Sequence, residues 1–330
     1  MLYSKLDSDK VKCNLCHFRC VIANGKRGIC GVRENRNGTL YTLVYGKAIS
    51  YAIDPIEKKP LFHFYPGSTA FSIATIGCNF KCIFCDNWVI SQDREIKGEE
   101  LLPEEIVYMA KKYECKCISY TYTEPTIFFE YAYDTAKLAH KEGIFNTFVT
   151  NGYMTFEAID LINGYLDAAT IDFKGSGDPD FYKKFCKVPD VEPIFQSLSE
   201  MKRKGIFIEI TDLIVTGGGE SKEAFKKFIK KIVDIVGDSV PLHILRFFPS
   251  YIYMNTTSTP ITILEEFYGI AKDFGLKYVY LGNVPGHKYE HTYCPNCNNI
   301  VIKRIGFEII DIKLKGRNCA YCNSEINIII

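Results

Sequence analysis

The sequence has little of what marks a nucleic-acid-binding, membrane or secreted protein. Its 330 residues carry 40 Lys and Arg against 39 Asp and Glu, so no basic excess favours phosphate backbones or anionic lipids. No segment reaches the roughly 18 consecutive apolar residues that indicate a spanning helix. The first residues, Met1–Asp7, lack the apolar core of a signal peptide. We therefore expect a cytoplasmic protein that binds neither nucleic acid nor membranes.

Cysteine, in contrast, is abundant, with 14 residues. In a reducing cytosol, clustered cysteines are typical of metal ligands or catalytic groups rather than disulfides. Eleven of them form three groups, at positions 13, 16, 20 and 30, at 78, 82 and 85, and at 294, 297, 319 and 322. The chemistry of this protein is therefore expected at metal centres.

The middle of the chain alternates β-type and helical patterns, which predicts an α/β fold with a parallel sheet covered by helices. The predicted strands are Ala70–Ile76, Cys117–Tyr122, Asn146–Thr150, Ala168–Phe173, Phe207–Ile214, Leu242–Phe247 and Tyr278–Leu281. The predicted helices lie near 103–113, 126–142, 155–163, 193–204, 221–236 and 261–274. We interpret the chain as a partial (β/α)6-type TIM barrel over 66–288, with an N-terminal four-cysteine module over 1–65 and a C-terminal zinc-ribbon-like module over 289–330. The charged run Asp54–Pro60, which has two prolines, is predicted to be a loop into the barrel.

The central group is Cys78-x3-Cys82-x2-Cys85, directly after the first predicted barrel strand. Three thiolates can hold three irons of a [4Fe–4S] cluster and leave the fourth iron open to a small molecule. The alternative is a zinc site completed by a distant ligand. At these residues the chain resembles the radical S-adenosylmethionine (SAM) enzymes. The resemblance implies that SAM binds the open iron, that Phe84 lies against the adenine, and that a 5′-deoxyadenosyl radical abstracts hydrogen from the substrate.

Polar residues follow the later strands, at the end of the barrel where active sites lie. The resemblance implies that Glu124 binds the SAM amino group and that other strand-end residues contact the cofactor, namely Thr150, Asn151, Asp172, Lys174, His243, Arg246 and Asn283. Asp172-x-Lys174 and His243 resemble the glycyl-radical activating branch of the family. Each residue also has a simpler interpretation. Glu124 could cap the following helix, His243 could be a core residue, and Arg246 could form a surface ion pair.

The two outer groups predict further metal sites. Cys294, Cys297, Cys319 and Cys322 form two Cys-x2-Cys knuckles, which favour structural zinc over a rubredoxin-type iron. Cys13, Cys16, Cys20 and Cys30 could hold zinc or an auxiliary iron–sulfur cluster. Cys186 is a candidate hydrogen-atom donor, whereas Cys115 and Cys117 are interpreted as ordinary buried residues.

The order of motifs along nearly the whole chain resembles the radical SAM protein of the AmmeMemoRadiSam system, a group similar to pyruvate formate-lyase activating enzyme. The motifs are Asp54–Leu61, Pro66–Ser68, Gly77–Trp88, Tyr120–Thr126, Arg246–Tyr251 and Tyr280–Gly286. The resemblance implies an external electron donor, Memo-like and AMMECR-domain partners, and an unidentified substrate that could be a protein. Two alternatives stay open, a glycyl-radical enzyme activase and a non-catalytic zinc or iron–sulfur scaffold.

Overall fold

The computed structural model of the protein describes all residues from Met1 to Ile330. Strands are numbered along the chain as β1 (Tyr3–Lys5), β2 (Val11–Cys13), β3 (Val21–Ile22), β4 (Arg33–Arg36), β5 (Thr39–Thr42), β6 (Lys47–Ala48), β7 (Ser50–Pro55), β8 (Thr69–Ala74), β9 (Glu99–Glu100), β10 (Cys117–Tyr120), β11 (Phe145–Thr150), β12 (Ala168–Lys174), β13 (Phe207–Ile214), β14 (Leu242–Arg246), β15 (Val279–Gly282), β16 (Thr292–Tyr293), β17 (Ile300–Ile305), β18 (Glu308–Ile312), β19 (Leu314–Lys315) and β20 (Asn318–Cys319). The helices are α1 (Trp88–Ser91), α2 (Pro103–Lys112), α3 (Phe129–Lys141), α4 (Phe156–Ile162), α5 (Pro179–Phe181), α6 (Glu192–Arg203), α7 (Lys222–Val236) and α8 (Ile261–Asp273).

An eight-stranded sheet in the order β15-β14-β13-β12-β11-β10-β8-β7 forms the centre of the molecule. Its seven strands from β8 to β15 run parallel, and β7 pairs antiparallel with β8 at one edge. The seven strands predicted from the sequence are all present. The sheet is open, because β7 and β15 are edge strands that do not pair with each other. The α/β fold with a parallel sheet is confirmed, but the sheet has seven parallel strands and is open, so it is not a clear barrel.

The helices between the strands pack through one apolar face, as their sequence period predicts. In α7, Phe225, Phe228, Ile229, Ile232 and Val236 are buried, while the lysines of the same helix lie towards solvent. The lysine run of α7 is therefore a solvated helix face. No helix of the chain combines the length and the apolar character required to cross a lipid bilayer.

The interior segment, residues 56–68 between β7 and β8, has little regular structure, as the prediction of a loop implies, but most of it is buried. Its residues Ile56–Lys58 form a 3-10 turn, and the segment then passes through the interior against the sheet. Thr170 of β12 donates a hydrogen bond to the carbonyl oxygen of Lys59 at 2.6 Å, and both Lys59 and Phe64 are buried. Burial is possible because the Lys59 ammonium contacts Asp54 at 2.6 Å, which pairs its charge.

Small antiparallel sheets flank the central sheet at both ends of the chain. The N-terminal part contains β1-β2-β3 and β4-β5, and the C-terminal part contains β16-β17-β18 and β19-β20. The C-terminal tail reaches the interior segment, since Ile329 pairs with Phe64 in a parallel bridge. The division of the chain at residues 65 and 288 stays a prediction, and β7 joins the central sheet from the N-terminal side of that boundary.

Candidate active site

A cavity of about 540 Å³ lies at the carboxyl ends of the parallel strands. Its lining includes residues that follow or end every one of the seven strands. The predicted residues that line it are Cys78, Cys82, Cys85, Phe84, Glu124, Asn151, Asp172, Lys174, His243, Arg246 and Asn283. The fold thus brings groups that are separated by about two hundred residues to one site.

The loop with the three central cysteines follows β8 and is fixed by backbone contacts. The Lys81 and Ile83 N–H groups donate to the carbonyl oxygens of Cys186 and Phe185, at 3.0 and 2.9 Å. Gly77 begins the loop with φ +95°, where a Cβ would lie 2.7 Å from Val32 Cγ1 and 2.9 Å from the Cys30 carbonyl oxygen. Only glycine fits this close approach of two chain segments.

Glu124 accepts four hydrogen bonds in the wall of the cavity. Its Oε1 accepts from the Thr126 N–H at 3.1 Å, the Thr126 hydroxyl at 2.5 Å and the Thr150 hydroxyl at 2.7 Å, while Oε2 accepts from the Asn151 N–H at 2.7 Å. Burial nevertheless raises the pKa of this carboxyl group. Glu124 therefore caps the turn that follows it, as the simpler interpretation predicts, and it also lines the cavity.

Asp172 and Lys174, at the end of β12, place opposite charges beside the cysteine loop. Asp172 accepts a hydrogen bond from the Thr211 hydroxyl at 2.6 Å. Burial acts to lower the pKa of Lys174, but the negative charges of Asp172 and of the Cys82 thiolate outweigh it, and the pKa is raised. A positive charge is therefore held at the cysteine group, where it opposes the negative charge of bound thiolates.

The far wall is formed by the ends of β14 and β15. His243 Nε2 lies 2.8 Å from Glu209 Oε2, and the imidazole lies edge-on against Phe62 with ring centroids 4.7 Å apart. The Arg246 Nε donates to the Thr259 carbonyl oxygen at 2.9 Å, and the Asn283 amide donates to the Arg246 carbonyl oxygen at 3.0 Å. These contacts leave the outer guanidinium nitrogens of Arg246 available to a ligand.

Two predicted residues do not line the cavity. Thr150 is buried behind Glu124, to which it donates, so its contact with the site is indirect. Cys186 is fully buried on the protein side of the cysteine loop, next to Cys82. Its role as a hydrogen-atom donor stays a prediction.

Sequence reasoning missed the contribution of the interior segment to the site. Lys58, Lys59 and Phe62 line the cavity, and the Tyr122 hydroxyl donates to Asp54, the carboxylate that pairs with Lys59. Burial lowers the pKa of Lys59 to about 8. The motif Asp54–Leu61 is visible in the sequence, but a charged run between prolines usually forms an exposed loop. Its position in the cavity wall could therefore not be predicted.

Exposed aromatic side chains lie at and next to the cavity, since Phe248 lines it and Trp88 directly follows Asn87, another lining residue. Trp88 is 42% exposed and stacks on Tyr251 with ring centroids 5.1 Å apart. The Arg246 guanidinium lies 5.0 Å from the ring centroid of Phe248, which is also exposed. Apolar rings and the Arg246 guanidinium are therefore available to a molecule that enters the cavity.

A second cysteine site lies in the C-terminal module. The sulfur atoms of Cys294, Cys297, Cys319 and Cys322 all lie within 4.8 Å of one another. The Cys294–Cys322 and Cys297–Cys319 pairs are 3.6 and 3.7 Å apart, which fits the edges of about 3.8 Å expected for four thiolates about 2.3 Å from one central ion. Hydrogen bonds from Ser324 and Asn296 lower the pKa of Cys322 to about 5, so that a metal-binding thiolate forms readily.

Comparison with known proteins gives a superfamily match and one relative over the whole chain. The model of the radical SAM superfamily matches residues 72–232. The uncharacterized protein MJ0808 of Methanocaldococcus jannaschii is 46% identical over 334 residues, which cover 100% of this chain and 99% of that protein. A second uncharacterized protein of the same organism, MJ0674, is 28% identical over 62% of this chain and 55% of its own length.

Among solved structures, a radical SAM methyltransferase from Sphaerobacter thermophilus superposes with a TM-score of 0.52 at 13% identity, over 67% of this chain and 68% of that chain. SuiB of Streptococcus suis bound to its precursor peptide SuiA superposes with a TM-score of 0.50 at 14% identity, over 66% of this chain and 47% of that chain. These structures share the fold of the central sheet.

Proposed function

Because this chain belongs to the radical SAM superfamily, we propose that it cleaves SAM reductively at a [4Fe–4S] cluster held by Cys78, Cys82 and Cys85 and abstracts hydrogen from a substrate in the cavity. The observation that carries this proposal is the meeting of the three-cysteine loop with the polar ends of the parallel strands in one cavity. Membership of an enzyme superfamily favours this function over the scaffold alternative.

The donor set fits such a cluster. Three thiols on one short loop line the cavity, and the residues opposite them include no fourth cysteine, so one corner of the cluster is left for SAM. When bound, the cluster supplies the single electron that breaks a C–S bond of SAM. Lys174 faces the thiols and holds positive charge beside them.

The strand ends supply contacts for the rest of SAM. Glu124 is held rigidly by its four hydrogen bonds and can accept one more from the SAM amino group. Lys174 and Arg246 can pair with the SAM carboxylate. Asn283 and His243 can hydrogen-bond to the ribose hydroxyls, and Phe84 offers a ring to the adenine. The buried cavity walls keep water from the radical.

The substrate is proposed to be a peptide or protein segment. The exposed aromatic rim around Trp88 and Phe248 suits a large flexible substrate, because rings bury much area at low entropic cost. SuiB, which shares the fold, has been solved with a precursor peptide bound. Memo-like and AMMECR-domain proteins are the proposed partners, and a low-potential protein is the proposed electron donor.

The C-terminal cysteine site is proposed to hold structural zinc. Its four sulfurs already have the spacing of a tetrahedral site with no open position. Such an ion would stabilise a module whose strands are only two to six residues long.

The proposed function is tested by anaerobic reconstitution with iron and sulfide, followed by addition of SAM and dithionite. We expect 5′-deoxyadenosine from the unchanged protein and none from Cys82→Ala, which lacks a ligand. Cys115→Ala is the matched control, since Cys115 is buried outside every cysteine group and should retain activity. Product formation by Cys82→Ala at the rate of the control would refute the ligand assignment.

The substrate class is tested by isotope transfer. Candidate partner proteins are labelled with deuterium and mixed with the reconstituted enzyme. We expect deuterium in 5′-deoxyadenosine if the partner is the substrate, and a radical on a partner glycine if the enzyme is an activase. Transfer from solvent alone would exclude that partner.

A further inference from the structure

The four N-terminal cysteines surround a second, enclosed cavity. Cys13, Cys16, Cys20 and Cys30 line a small space together with apolar side chains such as Leu15, Phe18 and Ile127. They come from β2, from the turn after it and from the residues before β4. The thiols are the metal-binding groups of this cavity, and bulk water has little access to it.

The spacing of these thiols differs from that at the C-terminal site. The four C-terminal sulfurs lie within 4.8 Å of one another, as a single ion requires, whereas the four N-terminal sulfurs do not form such a set. A cubic cluster binds each thiolate at a separate iron, so its ligands stand farther apart than those of one zinc ion. The N-terminal geometry therefore fits a cluster better than a single ion.

Two buried hydrogen-bond donors at this cavity have no partner. Asn79 and Arg33 are 1% and 2% exposed, both line the cavity, and Asn79 Nδ2 and Arg33 Nε donate to no protein atom. An unsatisfied buried donor costs about 1–3 kcal/mol. Such groups are therefore expected to face an acceptor that the protein chain itself does not provide.

The orientation of Asn79 is fixed by its neighbours. The Tyr153 N–H donates to Asn151 Oδ1 at 3.1 Å, so the Asn151 amide nitrogen points to Asn79 and donates to its Oδ1 at 2.7 Å. Asn79 Nδ2 must then face away from Asn151. The other two nitrogens of Arg33 are likewise occupied, in a bidentate pair with Glu130 at 2.7 Å each, which leaves its Nε.

We propose that Cys13, Cys16, Cys20 and Cys30 hold a second [4Fe–4S] cluster, and that Asn79 Nδ2 and Arg33 Nε donate hydrogen bonds to its sulfur atoms. A cluster with four thiolate ligands is an anion, and Arg33 supplies the nearby positive charge. The assignment does not depend on the proposed function, since none of its four ligands and two donors is a residue assigned to SAM binding.

The second cluster lies close to the first. Asn79 directly follows Cys78, and its Oδ1 lies 3.7 Å from Cys78 Sγ. Gly77 lies against the backbone of Cys30, because a Cβ added at Gly77 would come within 2.9 Å of the Cys30 carbonyl oxygen. Asn79 thus reaches from the Cys78 thiol to the cavity of the N-terminal cysteines.

The test uses the full-length variant Cys78→Ala, Cys82→Ala, Cys85→Ala, in which the SAM site has no ligands. After anaerobic reconstitution we expect equal amounts of iron and sulfide, close to four of each per chain, and a visible absorption that dithionite bleaches. Adding Cys16→Ala and Cys20→Ala should remove both. Tightly bound zinc without sulfide in the triple variant would overturn the proposal.

A second measurement guards against loss of folding in the multiple variants. With all cysteines present, Mössbauer spectra should show two clusters, and Cys82→Ala should lose the signal of one. A single cluster in the unchanged protein would contradict the assignment.

The donor role of Asn79 is tested separately in the triple variant. Hydrogen bonds to sulfur raise the reduction potential of a cluster, so Asn79→Leu should lower it. Leu161→Ala, a partly buried residue away from the cavity, serves as the control. An unchanged potential in Asn79→Leu would refute the hydrogen bond.

Discussion

Glu124 combines the two roles that the sequence allowed for it. Its carboxylate caps the 3-10 turn Pro125–Phe128 through the Thr126 N–H, and the same group forms part of the cavity wall. The cap does not compete with the site, because it orients the carboxylate by four short contacts. A rigid acceptor is what recognition of an ammonium group requires.

Replacing Glu124 by Gln should therefore affect both stability and binding. The NH2 of the new amide cannot accept the hydrogen bonds that Thr126, Thr150 and Asn151 donate. The free energy of unfolding should therefore fall by roughly 1–3 kcal/mol. The dissociation constant of SAM should rise at least about tenfold, since a charge-assisted hydrogen bond is lost. Denaturant titration and equilibrium dialysis measure the two effects. The control, Glu142→Gln, breaks only an exposed ion pair with Lys111 and should change neither.

Asp212 should make stability depend on pH. It is buried in β13 and accepts hydrogen bonds from the Ser176 N–H at 2.9 Å and the Ser176 hydroxyl at 3.0 Å, and burial raises its pKa from 3.8 to about 6. Between these values the folded protein retains a proton that the unfolded chain has lost. Stability therefore falls as pH rises from about 4 to 6 and stays reduced above that.

The variant Asp212→Asn removes this titration. Relative to the unchanged protein, its free energy of unfolding should increase between pH 4 and pH 7 by about 3 kcal/mol, at about 1.4 kcal/mol for each tenfold change in proton affinity. Denaturant titrations at several pH values measure the difference. Parallel pH curves for the two proteins would contradict the prediction.

At the residue scale, the sequence identified groups whose position follows from a strand end. Asp172, Lys174 and Arg246 lie in the cavity because parallel strands end at one edge. The sequence could not identify Asn79 or Arg33 as hydrogen-bond donors to a ligand. That role depends on which donors have no partner after folding. Nor could it place Cys186, whose distance from the cavity is set by the π-helical turn Tyr182–Cys186.

At the level of elements, the loop after β8 depends on Gly77. Gly77→Ala would place a Cβ 2.7 Å from Val32 and 2.9 Å from a backbone oxygen, so one of the two segments must move. We expect a loss of more than about 2 kcal/mol in unfolding free energy together with less iron bound after reconstitution. Gly143→Ala is the control, because it has a similar positive φ but no atom within 4 Å, and should cost about 1 kcal/mol. Equal effects of the two changes would show that crowding at Gly77 is unimportant.

The strands of the central sheet were predictable because buried parallel strands appear as short apolar runs between helical patterns. The N-terminal strands were not, since β3 and β6 have two residues each and show no period. The burial of the interior segment could not be predicted for a different reason. Glu57 lies 3.7 Å from Arg304, a partner almost 250 positions later that no local pattern reveals.

At the level of the whole molecule, Arg304 connects the C-terminal module to the active site. It is fully buried, donates to the Phe62 carbonyl oxygen at 2.9 Å, and lies 4.2 Å from the ring centroid of Phe62. Phe62 in turn contacts His243 in the cavity wall. The four cysteines of the C-terminal module and the cavity are therefore joined by packed side chains, because Phe62, Cys294 and Cys319 belong to one buried apolar cluster.

Removing the C-terminal metal should consequently weaken both folding and activity. Cys297→Ser should lose the bound metal, lower the temperature of unfolding, and reduce 5′-deoxyadenosine formation several-fold while iron content stays unchanged. Metal analysis and calorimetry measure the first two effects. Tyr321→Ser changes an exposed residue between two ligands and should behave as the unchanged protein. Full activity in metal-free Cys297→Ser would show that the modules act independently.

Trp88 gives the protein a built-in optical reporter. It is the single tryptophan of the chain, and its backbone N–H donates to the carbonyl oxygen of Cys85 at 3.3 Å. Iron–sulfur clusters absorb at the wavelengths at which indole emits, so a filled site beside Trp88 quenches its fluorescence by energy transfer. Assembly, oxidative loss and repair of the cluster can thus be followed in real time by emission, without any label, and closure of a substrate over the Trp88–Tyr251 stack would register as a spectral shift.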